Sequence, residues 1–152
     1  MDLTTKGRYA VTALADIAKF GIGKSVALTA ISERQQLPLA YLEQLFMALR
    51  RAGLVESARG RSGGYRLPRA AALIPVAEIM RAVEEETRMT RCRDGHNACK
   101  GDQPCLTHGL WTALGDEIES FLADVTLQDV IDGIPSTKRS MRSTAANGRA
   151  AA

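Results

Sequence analysis

Residues Leu28–Pro68 read LTAISERQQLPLAYLEQLFMALRRAGLVESARGRSGGYRLP, and the order of signals in this stretch decides the fold. Leu28 to Gln35 predicts a short helix, with Thr29 or a neighbour as its cap, and Gln36-Leu37-Pro38 breaks it. A longer helix then runs from Leu39 to Ala52 and stops at Gly53. Its stripe of Leu42, Leu45, Phe46 and Leu49 has the i, i+3, i+4, i+7 spacing of a buried helical face. Two helices joined by a tight turn form a helix-turn-helix. Leu54 to Ala58 alternates as a strand, Arg59 to Gly64 is a glycine-rich turn, and Tyr65-Arg66-Leu67 is the returning strand, closed by Pro68.

Upstream, Leu3 to Phe20 reads as a helix with Tyr9, Ala13 and Ile17 on one stripe and Ala10, Leu14 and Ala18 beside it; Gly21-Ile22-Gly23 ends it. Three helices followed by a β-hairpin are the order of a winged helix-turn-helix. Downstream, Ile74 to Ala82 predicts a fourth helix with Pro75 in its first turn. Glu84 to Pro104 is polar and reads as a loop. Leu106 to Ala123 predicts the longest helix, whose apolar face (Leu106, Leu110, Leu114, Ile118, Phe121, Leu122, with Trp111 at its edge) must pack on something, such as a partner subunit. Thr126 is placed to cap a short last helix, Leu127 to Ile131. The expected fold is mainly α with a small β-hairpin: a winged helix-turn-helix DNA-binding domain over 1–73, a connecting helix over 74–91, a ligand-bearing loop over 92–108, a dimerisation helix and short last helix over 106–132, and a disordered tail over 133–152.

Composition narrows the class. The chain of 152 residues is 45% hydrophobic and 24% charged, ordinary for a soluble globular protein, and with 5% aromatics its core must be mostly Ala, Leu, Ile and Val. No apolar run approaches the roughly 20 residues of a membrane span, and Met1 to Lys6 lacks the apolar stretch of a signal peptide. Three cysteines cannot all pair within one chain, so the expectation is a cytoplasmic protein with reduced thiols and no membrane partner. Residues 1–73 hold eleven Lys/Arg against five Asp/Glu, residues 74–135 hold five against twelve, and residues 136–152 hold four against none. A basic half suits a polyanion, because neutralising phosphates releases counterions.

On the third helix the core stripe leaves Ala40, Tyr41, Glu43, Gln44, Met47, Arg50 and Arg51 facing elsewhere. A major groove admits such a helix, where Gln pairs with adenine, Glu accepts from cytosine, and Tyr41 and the arginines hold phosphates. Arg59 and Arg61 flank glycine at the hairpin tip, where arginine suits a narrow minor groove. Thr4, Thr5, Lys6 and Arg8 start the first helix, and donors at a helix N-terminus suit phosphate.

The sharpest chemical feature is CRDGHNACKGDQPCLTH, Cys92 to His108, which contains every cysteine and both histidines of the chain. Cys105 and His108 are i, i+3 and share a face if the long helix begins there. Three thiolates (Cys92, Cys99, Cys105) and one imidazole complete a four-ligand set. His108 is preferred to its rival His96 because of that one-turn relation. Zinc would take the set as a closed Cys₃His tetrahedron, and an iron–sulfur cluster would take it with imidazole replacing one cysteine. Spacing alone leaves the metal open.

Leu3 to Ala10 (LTTKGRYA), Tyr41 to Phe46 (YLEQLF), Gly63-Gly64-Tyr65, and Cys105 to Trp111 (CLTHGLW) resemble the IscR-like iron–sulfur cluster regulators, a winged-helix transcription factor family, and the likeness covers roughly residues 2–132. The resemblance implies a homodimer with one [2Fe–2S] cluster per subunit, ligated by Cys92, Cys99, Cys105 and His108 and supplied by the cluster-assembly machinery. It implies that the third helix from Leu39 and the wing with Gly63, Gly64 and Tyr65 read near-palindromic promoter DNA of cluster-assembly genes, repressing them when clusters are ample. It also implies that cluster-bound and apo forms prefer different sites. Six residues separate Cys92 from Cys99, one more than in the best-known members, a small change for an irregular loop. Ala40 stands where the family often has serine.

Other classes fit less of the chain. A zinc-stabilised winged-helix regulator, or one built on another cluster and responsive to iron or nitric oxide, differs from this reading in its metal. A Cys₃His RNA-binding module predicts stacking aromatics beside the ligands, and only Trp111 is close. An enzyme with Cys99 or Cys105 as nucleophile lacks an identifiable acidic partner, so no catalytic residues are expected.

Overall fold

In a computed structural model, which describes residues 4–61, 63–85 and 104–133, the chain runs α1 (Thr5–Phe20), α2 (Leu28–Gln35), α3 (Leu39–Arg51), β1 (Glu56–Ala58), β2 (Gly64–Arg66), a 3₁₀ turn (Ala71–Leu73), α4 (Val76–Ala82), α5 (His108–Asp124) and α6 (Leu127–Asp132). The loop reading of residues 86–103, with Cys92, His96 and Cys99, and the tail from residue 134 onward fall outside the described residues. Among the described residues no helix is long and apolar enough to cross a membrane.

In the first three helices the predicted stripes are largely the buried ones, with Tyr9 and Ala18 half-buried at the margin. Ala10, Ala13, Leu14 and Ile17 of α1, Ile31 of α2, and Leu42, Leu45, Phe46 and Leu49 of α3 meet in one apolar cluster. Phe46 is fully buried, with its ring edge-on to Tyr65 at 4.7 Å, so cutting it to alanine should cost about 3–5 kcal/mol. Asp16 is buried on the same helix face, and Arg34 and Gln35 of α2 satisfy its carboxylate.

Several helix ends differ from expectation. Ala27, not Thr29, is the N-cap of α2, and its side chain accepts nothing. α2 ends at Gln36 in a left-handed conformation (φ 54°), and the Leu37 amide then returns to the Ser32 carbonyl at 3.1 Å. Pro75 precedes α4 as its N-cap rather than lying inside it. Thr126 does cap α6, in a reciprocal box with Asp129.

The hairpin is shorter than read. Leu54 and Val55 are both buried, so the stretch does not alternate there, and strand pairing starts at Glu56 opposite Arg66. A third segment joins the wing: the Val26 and Tyr65 backbones exchange hydrogen bonds of 2.8 Å each way. Gly64 sits so close to this segment that an added Cβ would lie 2.4 Å from the Val26 carbonyl oxygen.

The chain's later part returns to the first. Leu127 donates its amide to the Ile74 carbonyl and Val76 to the Val125 carbonyl, both at 2.8 Å, and Ile74 and Leu127 are buried in the same cluster as α1. α6 therefore packs beside α1 and the 3₁₀ turn in the core of the winged unit, whereas α5 buries no residue of its own.

Candidate nucleic-acid interface and metal-ligand pair

The outward edge of α3 presents Ala40, Glu43, Gln44, Met47, Arg50 and Arg51 to solvent, because the apolar stripe on the opposite side is anchored in the core. Leu39 is half-buried at its start. Tyr41 leans toward α1, with its hydroxyl 3.3 Å from the Thr5 hydroxyl and its ring edge-on to Tyr9 at 5.7 Å. Lys6, Tyr41, Gln44, Met47 and Arg51 line a groove of about 600 Å³ between α1, α3 and the end of α4. α3 and the start of α1 thus share one polar face, with basic side chains at its rim.

Arg59 and Arg61 are exposed at the wing tip, and the Gly63 amide closes the turn on the Gly60 carbonyl at 2.9 Å. Arg66 is spent within the hairpin, paired with Glu56 at 3.1 Å. Gly64 and Tyr65 serve the wing itself: the glycine admits the Val26 backbone, and the tyrosine packs its ring on Phe46.

The start of α1 carries a residue that sequence reasoning missed. Glu85, 8% exposed, accepts hydrogen bonds from the Thr4 amide and the Gly7 amide, both at 2.9 Å, and from the Thr4 hydroxyl. Thr4 also accepts from the Lys6 amide at 3.2 Å. The amides that suited a phosphate at this terminus are therefore largely taken by an internal carboxylate. That leaves the Thr5 hydroxyl and the side chains of Lys6 and Arg8 facing solvent. Burial works to raise the Glu85 pKa, but the hydrogen bonds from Thr4 and Gly7 and the charge of Lys6 outweigh it and hold the carboxyl below its ordinary value. Gly7 lets these side chains come close: a Cβ there would lie 2.7 Å from Met80 Sδ and 2.9 Å from Glu85 Cγ, so both would have to shift. Only the LTTKGRYA motif hinted at this contact.

Of the predicted ligand set, Cys105 and His108 lie among the described residues and Cys92 and Cys99 outside them. Cys105 is exposed, with its sulfur 3.6 Å from the Thr107 hydroxyl. His108 is the first residue of α5, and its amide donates to the Cys105 carbonyl at 3.0 Å. Thiol and imidazole thus sit on one turn, an arrangement that fits two donors of a thiolate–imidazole centre. The same helix start exposes Leu106 fully and Leu110 by 61%, with Trp111 half-buried. Farther along, Phe121 and Leu122 cover Val76, Met80 and Val125.

Comparison with known proteins agrees with this architecture. The family model Rrf2, described as an iron-dependent transcriptional regulator, matches residues 3–133. The transcriptional regulator IscR of Xenorhabdus nematophila is 50% identical over 131 residues, covering 86% of this chain and 79% of that one. The solved structure of T. potens IscR superposes with a TM-score of 0.72 at 36% identity, over 90% of both chains. CymR, the global cysteine regulator of B. subtilis, superposes at 0.76 with 30% identity, over 89% of this chain and 99% of CymR. The two solved relatives carry different regulator names on one fold, so the fold does not by itself specify the signal.

Proposed function

We propose, on the premise that this chain belongs to the Rrf2 family of transcriptional regulators, that it is a cytoplasmic, homodimeric, IscR-like repressor that senses iron–sulfur cluster supply. Each subunit holds one [2Fe–2S] cluster through Cys92, Cys99, Cys105 and His108, received from the cluster-assembly machinery. The observation that carries the reading is the Cys105–His108 pair, which spans the turn leading into α5, in a chain that exposes Arg50 and Arg51 on α3 and Arg59 and Arg61 at the wing tip.

Glu43 and Gln44 on the exposed edge of α3 read base edges, with Ala40 beside them; Arg50, Arg51 and Tyr41 hold backbone phosphate. Arg59 and Arg61 enter the minor groove from the wing, and Lys6 and Arg8 add phosphate contacts. The uncovered apolar start of α5 is closed by the same helix of a second copy, which sets two α3 helices about one DNA turn apart and makes the operator near-palindromic.

A bound cluster would supply iron that is lost when cluster supply fails. Imidazole is a weaker iron donor than thiolate, so a set with one histidine releases its metal more readily than four cysteines would, as a sensor requires. Loss of the cluster relieves repression of cluster-assembly genes, provided that the two states differ in DNA affinity.

Anaerobic purification tests this directly. The expected product is a reddish-brown dimer with visible absorption and two iron and two acid-labile sulfide per chain, and its affinity for promoter DNA changes when the cluster is removed. A colourless protein carrying one zinc per chain, or a DNA affinity indifferent to the cluster, would overturn the reading.

A further inference from the structure

Glu85 lies at a junction. It follows α4, where Glu84 turns the backbone through a left-handed conformation (φ 54°) and the Glu85 amide closes on the Met80 carbonyl at 3.0 Å. Its carboxylate binds the Thr4 and Gly7 amides at the start of α1. The other side of the residue borders a crevice between α4 and α5, shared with Arg81 and Glu119. The turn of α1 that it holds is the one that presents Lys6, and Thr5 of that turn meets Tyr41 of α3. With both amides taken, this helix start can meet DNA through side chains, whose direction depends on how the turn is held.

We propose that Glu85 is a positioning residue for DNA binding: its carboxylate fixes the first turn of α1 so that Lys6, and through Thr5 the Tyr41 end of α3, face the phosphate backbone. This deepens the DNA-binding reading above and rests on it. Electrostatics alone gives the opposite expectation. Removing a negative charge from a protein that binds a polyanion should tighten binding, whereas loss of positioning weakens it.

The test uses the full chain and a fluorescein-labelled duplex of about 25 base pairs with randomised sequence, whose binding is dominated by phosphate. Affinity is measured by anisotropy across a salt series. Lys6→Ala should lower the slope of log affinity against log salt by about 1. Glu85→Gln should lower it by a similar amount and weaken binding roughly fivefold, and the double variant should fall no further than either single one. Glu85→Asp keeps the charge but is one methylene too short. It should change in the same direction, and it decides the matter if the glutamine variant does not fold. A residue with a purely structural role would lower the melting temperature and leave the slope alone. An unchanged slope in folded Glu85→Gln or Glu85→Asp, tighter binding, or strictly additive effects with Lys6→Ala would overturn the proposal. If the unaltered protein binds no duplex, the DNA-binding reading fails first and takes the proposal with it.

Discussion

Arg34 grips both carboxylate oxygens of Asp16, Nε at 3.0 Å and Nη2 at 2.6 Å, and so locks α2 against α1. The Asp16 side chain is fully buried, whereas Arg34 keeps 35% exposure and lays its guanidinium 4.7 Å from the centre of the Phe20 ring.

Arg34→Met should destabilise the fold by about 2 kcal/mol, below the roughly 3–5 kcal/mol of a wholly buried pair because the arginine is partly solvated. Asp16→Leu combined with Arg34→Met should recover most of that loss. Urea unfolding of the two variants checks both statements, and a double variant no more stable than the single one would contradict them.

Gly64→Ala should detach the wing, because the new methyl would collide with the Val26 carbonyl and nothing but backbone is there to yield. The expected cost is about 1–3 kcal/mol. Exchange of the Val26 and Tyr65 amides should quicken first, measured by hydrogen–deuterium exchange, while the helical circular dichroism is retained.

Stability should fall in acid through Glu85. Its folded pKa lies below the ordinary value of 4.5, so the carboxylate's contribution is complete above that pH and is lost as pH drops through the lowered value. Urea midpoints of the unaltered protein and Glu85→Gln should therefore differ most near neutrality and converge only as the pH falls through that lowered value. A difference that persists at low pH would mean that Glu85 contributes through packing instead.

Arg59→Ala should weaken binding to nearly all duplexes and reduce the salt dependence by about one phosphate. Glu43→Ala should instead change which duplexes are preferred, by about 1–3 kcal/mol at the affected base pair. Selection from a random duplex pool with each variant separates the two effects. An unaltered preference in Glu43→Ala would remove it from the base-reading set.

Leu110→Asp should yield a folded monomer. Leu110 is 61% exposed on a helix with no buried residue, so a charge there costs the subunit little and an apolar dimer seam a great deal. Sedimentation velocity reads the outcome, and a Leu110→Asp protein that remains dimeric would place the subunit contact elsewhere.

Much of the winged unit was legible because its determinants are local. The spacing of Leu42, Leu45, Phe46 and Leu49 predicts the buried face of α3 and, by difference, its exposed edge. Thr126 reads as the cap of the last helix from its place just before Leu127, and the structure adds Asp129 as its reciprocal partner. The strand reading failed at Leu54 and Val55 because both enter the core before the hairpin begins, which erases the alternation. The cap of α2 was not legible because Ala27 occupies the position and its methyl offers no acceptor to search for.

The order of elements, the exposed edge of α3, the basic wing tip and the clustered cysteines and histidines were determined by the sequence alone, since each rests on residues within a few turns of one another. Only the tertiary structure decided that Glu85 holds the start of α1, that Val26 completes the wing, and that Ile74 and Leu127 draw α6 into the first core. These contacts join residues far apart along the chain. Burial and hydrogen bonding select such pairs without regard to sequence distance, so they leave no period or spacing to read.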